Sequence, residues 1–197
     1  MKNSRWLVLV LFLSGLLNAQ SNEKIEQATF AGGCFWCMET PFEGLPGVQS
    51  VISGFSGGEE VNPTYQKVSD GLTSHAEVVQ ITYDSSKISY KKLLDVFWRN
   101  IDPTQVDGQF VDIGKQYRTA IFTHHKLQMK EALESKHELE KLKKFSKPIV
   151  TDIVPYVSFY PAEEYHQDFY KKNPVRYKSY RYGSGRDQFV ERIWGKK

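Results

Sequence analysis

The chain has 197 residues, 40% of them hydrophobic, with 26 Lys and Arg against 23 Asp and Glu for a formal charge of +3. That is enough chain for one ordinary domain with a real core, and too little net positive charge for strong electrostatic binding to nucleic acid. Only two cysteines occur, which excludes a disulfide-stapled scaffold.

Lys2 and Arg5 precede an apolar run from Trp6 to Leu17, after which Asn18, Ala19 and Gln20 turn polar. This is the pattern of a signal peptide, and its apolar core is shorter than the roughly 20 residues of a comfortable membrane span. Residues 1–19 are assigned to a signal peptide and residues 20–197 to one domain, with an uncleaved N-terminal anchor as the alternative. Removal of the segment lowers the basic count from 26 to 24 against 23 acidic residues, a net charge of +1. The protein is expected outside the cytoplasm, periplasmic or secreted, and as a monomer.

Gln27 to Ala31 reads as a strand entering a glycine turn, and Val48 to Gly54 as a second strand bounded by Gly47 and Gly57-Gly58. Val78, Ile81 and Tyr83 lie in a third. Ser89 suits the N-cap of a helix carrying Tyr90, Leu93, Leu94, Phe97 and Trp98 on one face, stopped by Pro103. Tyr117 to Phe122 reads as a buried strand, followed by a charged helix from about His124 to Lys143 with Met129 and Leu133 turned inward. Ile149 to Val154 is a further strand, and Pro161 with Ala162, Glu163 and Glu164 suits the first turn of a last short helix. Beyond about Arg176, with Gly183-Ser184-Gly185, an irregular tail is expected. Strands and helices mix without strict alternation, which predicts an α+β two-layer sandwich with a mixed sheet.

Both cysteines sit in Ala31-Gly32-Gly33-Cys34-Phe35-Trp36-Cys37-Met38-Glu39. Two glycines ahead of a cysteine allow a sharp turn from strand to helix, which would set Cys34 at a helix N-terminus where unpaired N–H groups favour a thiolate. Phe35 and Trp36 offer an apolar wall beside it, and Cys37 shares the same helix face. A Cys-x-x-Cys bridge closes too small a loop to stabilise much, so reactivity explains the pair better than architecture. Zinc would need two more ligands, and His75, His124, His125, His137 and His166 show no paired ligand spacing. Haem attachment requires histidine where Met38 stands. A buried structural pair and a thioredoxin-like dithiol oxidoreductase using Cys34 and Cys37 stay open on spacing alone.

The surrounding motifs narrow the choice. Gly33-Cys34-Phe35-Trp36, Asn62-Pro63-Thr64-Tyr65, His75-Ala76-Glu77, Gly108-Gln109-Phe110, Asp112-x-Gly114-x-Gln116-Tyr117-Arg118 and Tyr165-His166-Gln167 before Asn173-Pro174 together resemble the peptide methionine sulfoxide reductase A family. The resemblance covers about Ala28 to Pro174, and Ser74 departs from it where glycine is expected. It implies a ferredoxin-like plait, with Cys34 as nucleophile and Phe35 and Trp36 as the pocket for the substrate methyl group. It also implies that Tyr65, Glu77 and Tyr117 gather around the sulfoxide oxygen, with Asp112 supporting them, and that the S epimer is selected. His166 is read as structural.

A sulfoxide oxygen must leave protonated, so an acid backed by phenol donors suits attack on sulfur. The expected course is attack by Cys34, proton donation by Glu77 and a sulfenic acid on Cys34. Many relatives carry the resolving cysteine in a C-terminal tail, whereas Tyr180 to Lys197 has none. Cys37 is therefore expected to resolve the sulfenic acid, with local unwinding of the helix to bring the sulfurs together. A thioredoxin-like donor would then open the disulfide; oxidised methionine-containing proteins are the expected substrates, and no bound metal or organic cofactor is expected.

Overall fold

The computed structural model describes residues 23–195, so the expected signal segment lies outside the described residues. Among the described residues eight strands and seven α-helices follow one another, from β1 (Ile25–Gly32) and α1 (Phe35–Glu39) through β2 (Val48–Ser56), α2 (Tyr65–Ser69), β3 (Ala76–Asp84) and α3 (Tyr90–Trp98). A short hairpin, β4 (Gly108–Gln109) and β5 (Asp112–Ile113), leads to β6 (Thr119–Thr123) and α4 (Lys126–Lys141). The chain ends with β7 (Asp152–Pro155), β8 (Phe159–Pro161), α5 (Phe169–Lys172), α6 (Pro174–Gly183) and α7 (Arg186–Trp194).

The six long-range strands form one mixed sheet in the order β7-β6-β1-β3-β2-β8, in which β6 and β7 run parallel and every other pair is antiparallel. The α+β class with a mixed sheet is as expected. Alternation along the strands divides the core. Ala28, Phe30, Val79, Ile81 and Tyr83 meet Leu93, Leu94 and Phe97 of α3 on one face, whereas Ala31, Ala76, Val78, Ala120 and Phe122 form a smaller cluster on the other. Phe30 anchors the larger cluster, stacking on Phe97, Phe42 and Tyr90 at centroid distances of 5.0, 5.6 and 6.1 Å. Truncation of such a side chain to alanine removes about 3–5 kcal/mol.

Ser89 caps α3 as its sequence position suggests, accepting the Lys92 N–H at 3.2 Å. Three expectations are corrected. The inward face of α4 is Gln128, Ala132 and Leu139, while Leu133 is 52% exposed; Gln128 turns inward because its amide binds the Gln27 carbonyl of β1 at 2.7 Å. Pro161 ends strand β8 rather than starting a helix, because Phe159 to Pro161 add to the free edge of β2. The C-terminal segment is helical, not irregular. Pro174 takes the first turn of α6, where its missing N–H is harmless, and both helices are held by buried Tyr177 and Arg186 instead of an aliphatic stripe.

Candidate active site

Four chain segments meet at one end of the sheet. β1 ends at Gly32 beside the start of β3 at Ala76, β2 ends next to them at Ser56, and β6 begins on the other side of β1 at Thr119. The antiparallel order therefore gathers Cys34, Tyr65, Glu77 and Tyr117 although they are far apart in sequence.

Gly33 makes the turn out of β1 with φ +81°. A Cβ there would lie 2.5 Å from Gln109 Cβ and 3.0 Å from a guanidinium nitrogen of Arg186, so both conformation and space call for glycine. Cys34 follows as the N-cap of α1, with non-helical φ −49° and ψ 120°, and Cys37 closes the first turn with its N–H on the Cys34 carbonyl at 3.0 Å. The two sulfurs hydrogen-bond to each other. Because Cys34 stands at the cap and not within the helix, the pair faces each other without the unwinding expected from a wholly helical segment.

Glu77, on β3, is 1% exposed and accepts the Phe35 N–H at 3.0 Å. Burial, with the fields of Asp112 and Cys37 acting the same way, pushes its carboxyl up to about 8 against the opposing hydrogen bond from Phe35. It is thus protonated at neutral pH and able to donate. Burial drives the Cys34 thiol well above the ordinary cysteine range, and its hydrogen bond with Cys37 and the field of Glu77 add to this. Cys37 is drawn down to about 7, first by that hydrogen bond and then by Arg186 and Arg181, against the effect of burial. The thiolate expected on Cys34 is not favoured because α1 has only five residues, too short a dipole to offset desolvation.

Around this pair stand the phenols. Tyr65, at the start of α2, is raised to about 12 by burial and by Glu77 and Cys34. Tyr117, in a 3-10 turn before β6, is raised by burial and by Glu77, Tyr65, Cys34 and Asp112. Both remain protonated donors. Asp112 on β5 accepts the Tyr180 hydroxyl proton, and burial raises its carboxyl. Phe35 is 1% exposed and packs against Tyr65, Phe55 and His166, so it backs the wall that Trp36 and Tyr65 expose. Trp36 stacks on Phe169 at 3.7 Å and donates its indole N–H to His166 Nδ1 at 3.1 Å. All eight residues singled out in the sequence thus lie in one site.

His166, Tyr180, Arg181 and Arg186 complete the surroundings without having been singled out for it. His166 is 1% exposed and packs against Tyr65 with ring centroids 4.1 Å apart and the rings tilted by 47°. It fixes Trp36 and Tyr65 together, which agrees with a structural role. Arg181 donates to the Cys37 carbonyl at 3.0 Å. The Tyr177-Tyr180-Arg181 spacing after Asn173-Pro174 was the available signal for a helix placing these groups on one side.

The family model for peptide methionine sulfoxide reductase matches residues 26–197. A peptide methionine sulfoxide reductase MsrA of Halalkalibacterium halodurans is 55% identical over 174 residues, covering 88% of this chain and 99% of that one. Among solved structures, methionine sulfoxide reductase A of Corynebacterium diphtheriae aligns with a TM-score of 0.73 and 35% identity over 77% of this chain and 76% of that one. Mxr1 from Saccharomyces cerevisiae in complex with Trx2 aligns with a TM-score of 0.52 and 25% identity, over 74% of this chain and 85% of that one.

Proposed function

The chain belongs to the peptide methionine sulfoxide reductase family, and we propose that Cys34, Glu77 and Cys37 carry out its reaction in that order. The activity is reduction of methionine (S)-sulfoxide in peptides to methionine, by a cysteine and with a thioredoxin-type reductant. The observation that supports the assignment of roles is Glu77: a buried carboxyl, protonated at neutral pH, held beside the cysteine turn by the Phe35 N–H.

Cys34 attacks the sulfoxide sulfur and passes its own proton to the Cys37 thiolate along their hydrogen bond. Glu77 protonates the sulfoxide oxygen, with the Tyr65 and Tyr117 hydroxyls sharing its developing charge. Transfer of that oxygen to Cys34 releases methionine and leaves a sulfenic acid. Cys37 then attacks the Cys34 sulfur, the S–O bond breaks, and oxygen leaves as water with the Cys37 proton, giving a Cys34–Cys37 disulfide. A dithiol donor reduces the disulfide and Glu77 regains its proton. Trp36 and Tyr65 bound the space for the substrate methyl group, and the oxidised substrates are proteins.

Two further readings belong with this one. The central strand order β6-β1-β3-β2, with α1 between β1 and β2 and α3 between β3 and β6, favours a ferredoxin-like plait. The charged, apolar, then polar pattern of residues 1–20 favours export, with an envelope thiol donor supplying electrons.

The test is consumption of each epimer of a peptide methionine sulfoxide with dithiothreitol, comparing wild type with Cys34→Ser and Glu77→Gln. Loss of the S epimer alone, abolished by Cys34→Ser and slowed about 10²–10⁴-fold by Glu77→Gln, is the expected result. Full activity of Glu77→Gln would remove the acid role.

A further inference from the structure

The methyl site bounded by Trp36 and Tyr65 has an unneutralised cation at its rim. Arg176 stands in the first turn of α6, its guanidinium carbon 5.8 Å from the ring centroids of both Trp36 and Phe169, which stack on each other. Its charge reaches the Tyr65 hydroxyl, where it acts against burial. Tyr180, one turn further along the same helix face, sets its ring edge-on to Trp36 at 6.0 Å. Arg176, Ser179 and Tyr180 line a recess of about 630 Å³, and two of these three lie against the Trp36 ring. Other cations of α5 and α6 are already paired: Lys171 with Glu43 and Asp168, Lys172 with Glu164 and Arg181 with Asp187. Lys178, two positions on from Arg176, points to a different side of α6. Arg176 is exposed and makes no hydrogen bond or ion pair among the described residues.

An arginine lying over aromatic faces is held in place without spending its donors, because the rings attract the cation and leave its in-plane N–H groups free. Those donors form a fork that matches a carboxylate. Within the site Asp112 already accepts the Tyr180 hydroxyl and Glu163 the Tyr65 N–H, so neither closes on Arg176. A methionine sulfoxide whose methyl group lies against Trp36 carries its backbone on a short aliphatic stem, which brings that backbone and the adjoining residues to the rim. We propose that Arg176 is a specificity-determining residue that binds a carboxylate carried by the substrate next to the methionine sulfoxide. Its source is the side chain of an adjacent Asp or Glu, or the α-carboxylate of a C-terminal methionine sulfoxide. The same cation repels a Lys or Arg at that substrate position, so the rim selects by the sign of charge. The proposal rests on Trp36 and Tyr65 being the walls of the methyl site.

The experiment measures kcat/KM for the S epimer, with dithiothreitol as reductant, in wild type, Arg176→Gln and Arg176→Lys. One arm compares a capped peptide carrying Glu beside the methionine sulfoxide with its Gln and Lys counterparts; the other compares N-acetyl-methionine sulfoxide with its amide. Wild type prefers the carboxylate over its neutral counterpart by roughly 3- to 10-fold, chiefly through KM, and added salt shrinks the preference. Arg176→Gln brings the ratio close to one, and Arg176→Lys keeps part of it because a point charge remains while the fork is lost. A preference in the peptide arm alone assigns the carboxylate to a side chain, and one in the N-acetyl arm alone assigns it to the chain end; either supports the proposal. The same ratios in wild type and Arg176→Gln in both arms overturn it. Turnover of the neutral substrates by the wild type reports the underlying reaction separately: its absence removes the methyl site and the proposal together, whereas turnover with no carboxylate preference removes the role of Arg176 alone. Arg176 is exposed, so both substitutions leave the core intact.

Discussion

Glu77 makes the molecule less stable in proportion to its usefulness, and pH exposes the trade. Its carboxyl rises from an ordinary 4.5 to about 8 on folding. The folded state then binds the proton more tightly than the unfolded chain, so stability is full below the unfolded value and is lost as pH climbs through the folded one. The shift of 3.5, at about 1.36 kcal/mol per unit, is a penalty of about 4 kcal/mol near pH 8 and about 1 kcal/mol near pH 5. Glu77→Gln keeps an acceptor for the Phe35 N–H but has no proton to lose. Its stability relative to wild type should therefore grow by about 3 kcal/mol from about pH 5 to about pH 8, raising the difference in melting temperature by roughly 6–12 °C. Glu39, also buried and raised to about 7, titrates in both proteins and cancels in the comparison. Paired thermal and urea unfolding across this range is the assay, alongside reductase activity, which the variant should lose. A difference that stays flat with pH would refute the claim that Glu77 is held protonated by burial.

Cys37→Ser should still release one methionine per chain and turn over with high dithiothreitol, but should lose turnover with thioredoxin; equal rates with both reductants would show that Cys37 is dispensable. Gly33→Ala forces φ +81° and a contact of 2.5 Å with Gln109, and should destabilise by about 3 kcal/mol in denaturant unfolding, with activity falling alongside. Tyr180→Phe removes the hydroxyl donor to Asp112 and should destabilise by about 1–3 kcal/mol near neutral pH; because the Asp112 carboxylate loses its partner, the deficit should shrink on acidification, as pH-dependent melting would show.

The reacting groups were legible because each sits in a short string whose chemistry is local: a glycine turn into a cysteine, an acid after His75-Ala76, a tyrosine beyond Asn62-Pro63. Strands β1 and β3 and the helix from Tyr90 to Trp98 were legible for the same reason, since alternation and helical spacing are properties of neighbouring residues. The charge state of Cys34 was not, because it depends on burial beneath segments more than 100 residues away and on how short α1 is. The inward face of α4 escaped notice because Gln128, a polar residue, is buried by a bond to β1. The C-terminal helices were missed because tyrosines and arginines carry their contacts, and a buried arginine with carbonyl partners leaves no apolar pattern to read.

The distance along the chain between Cys37 and Arg186 also has a meaning in time. A polypeptide emerges N-terminus first, and synthesis at about 5–20 residues per second separates these two residues by roughly 7 to 30 s. During that interval β1 and β3 have emerged and can pair, but α6 and α7, which cover the cysteine turn, do not yet exist. The two thiols thus pass through an exposed, unshielded stage on every molecule made. The cysteine turn is thus made well before the helices whose arginines hydrogen-bond its Gly32 and Cys37 carbonyls.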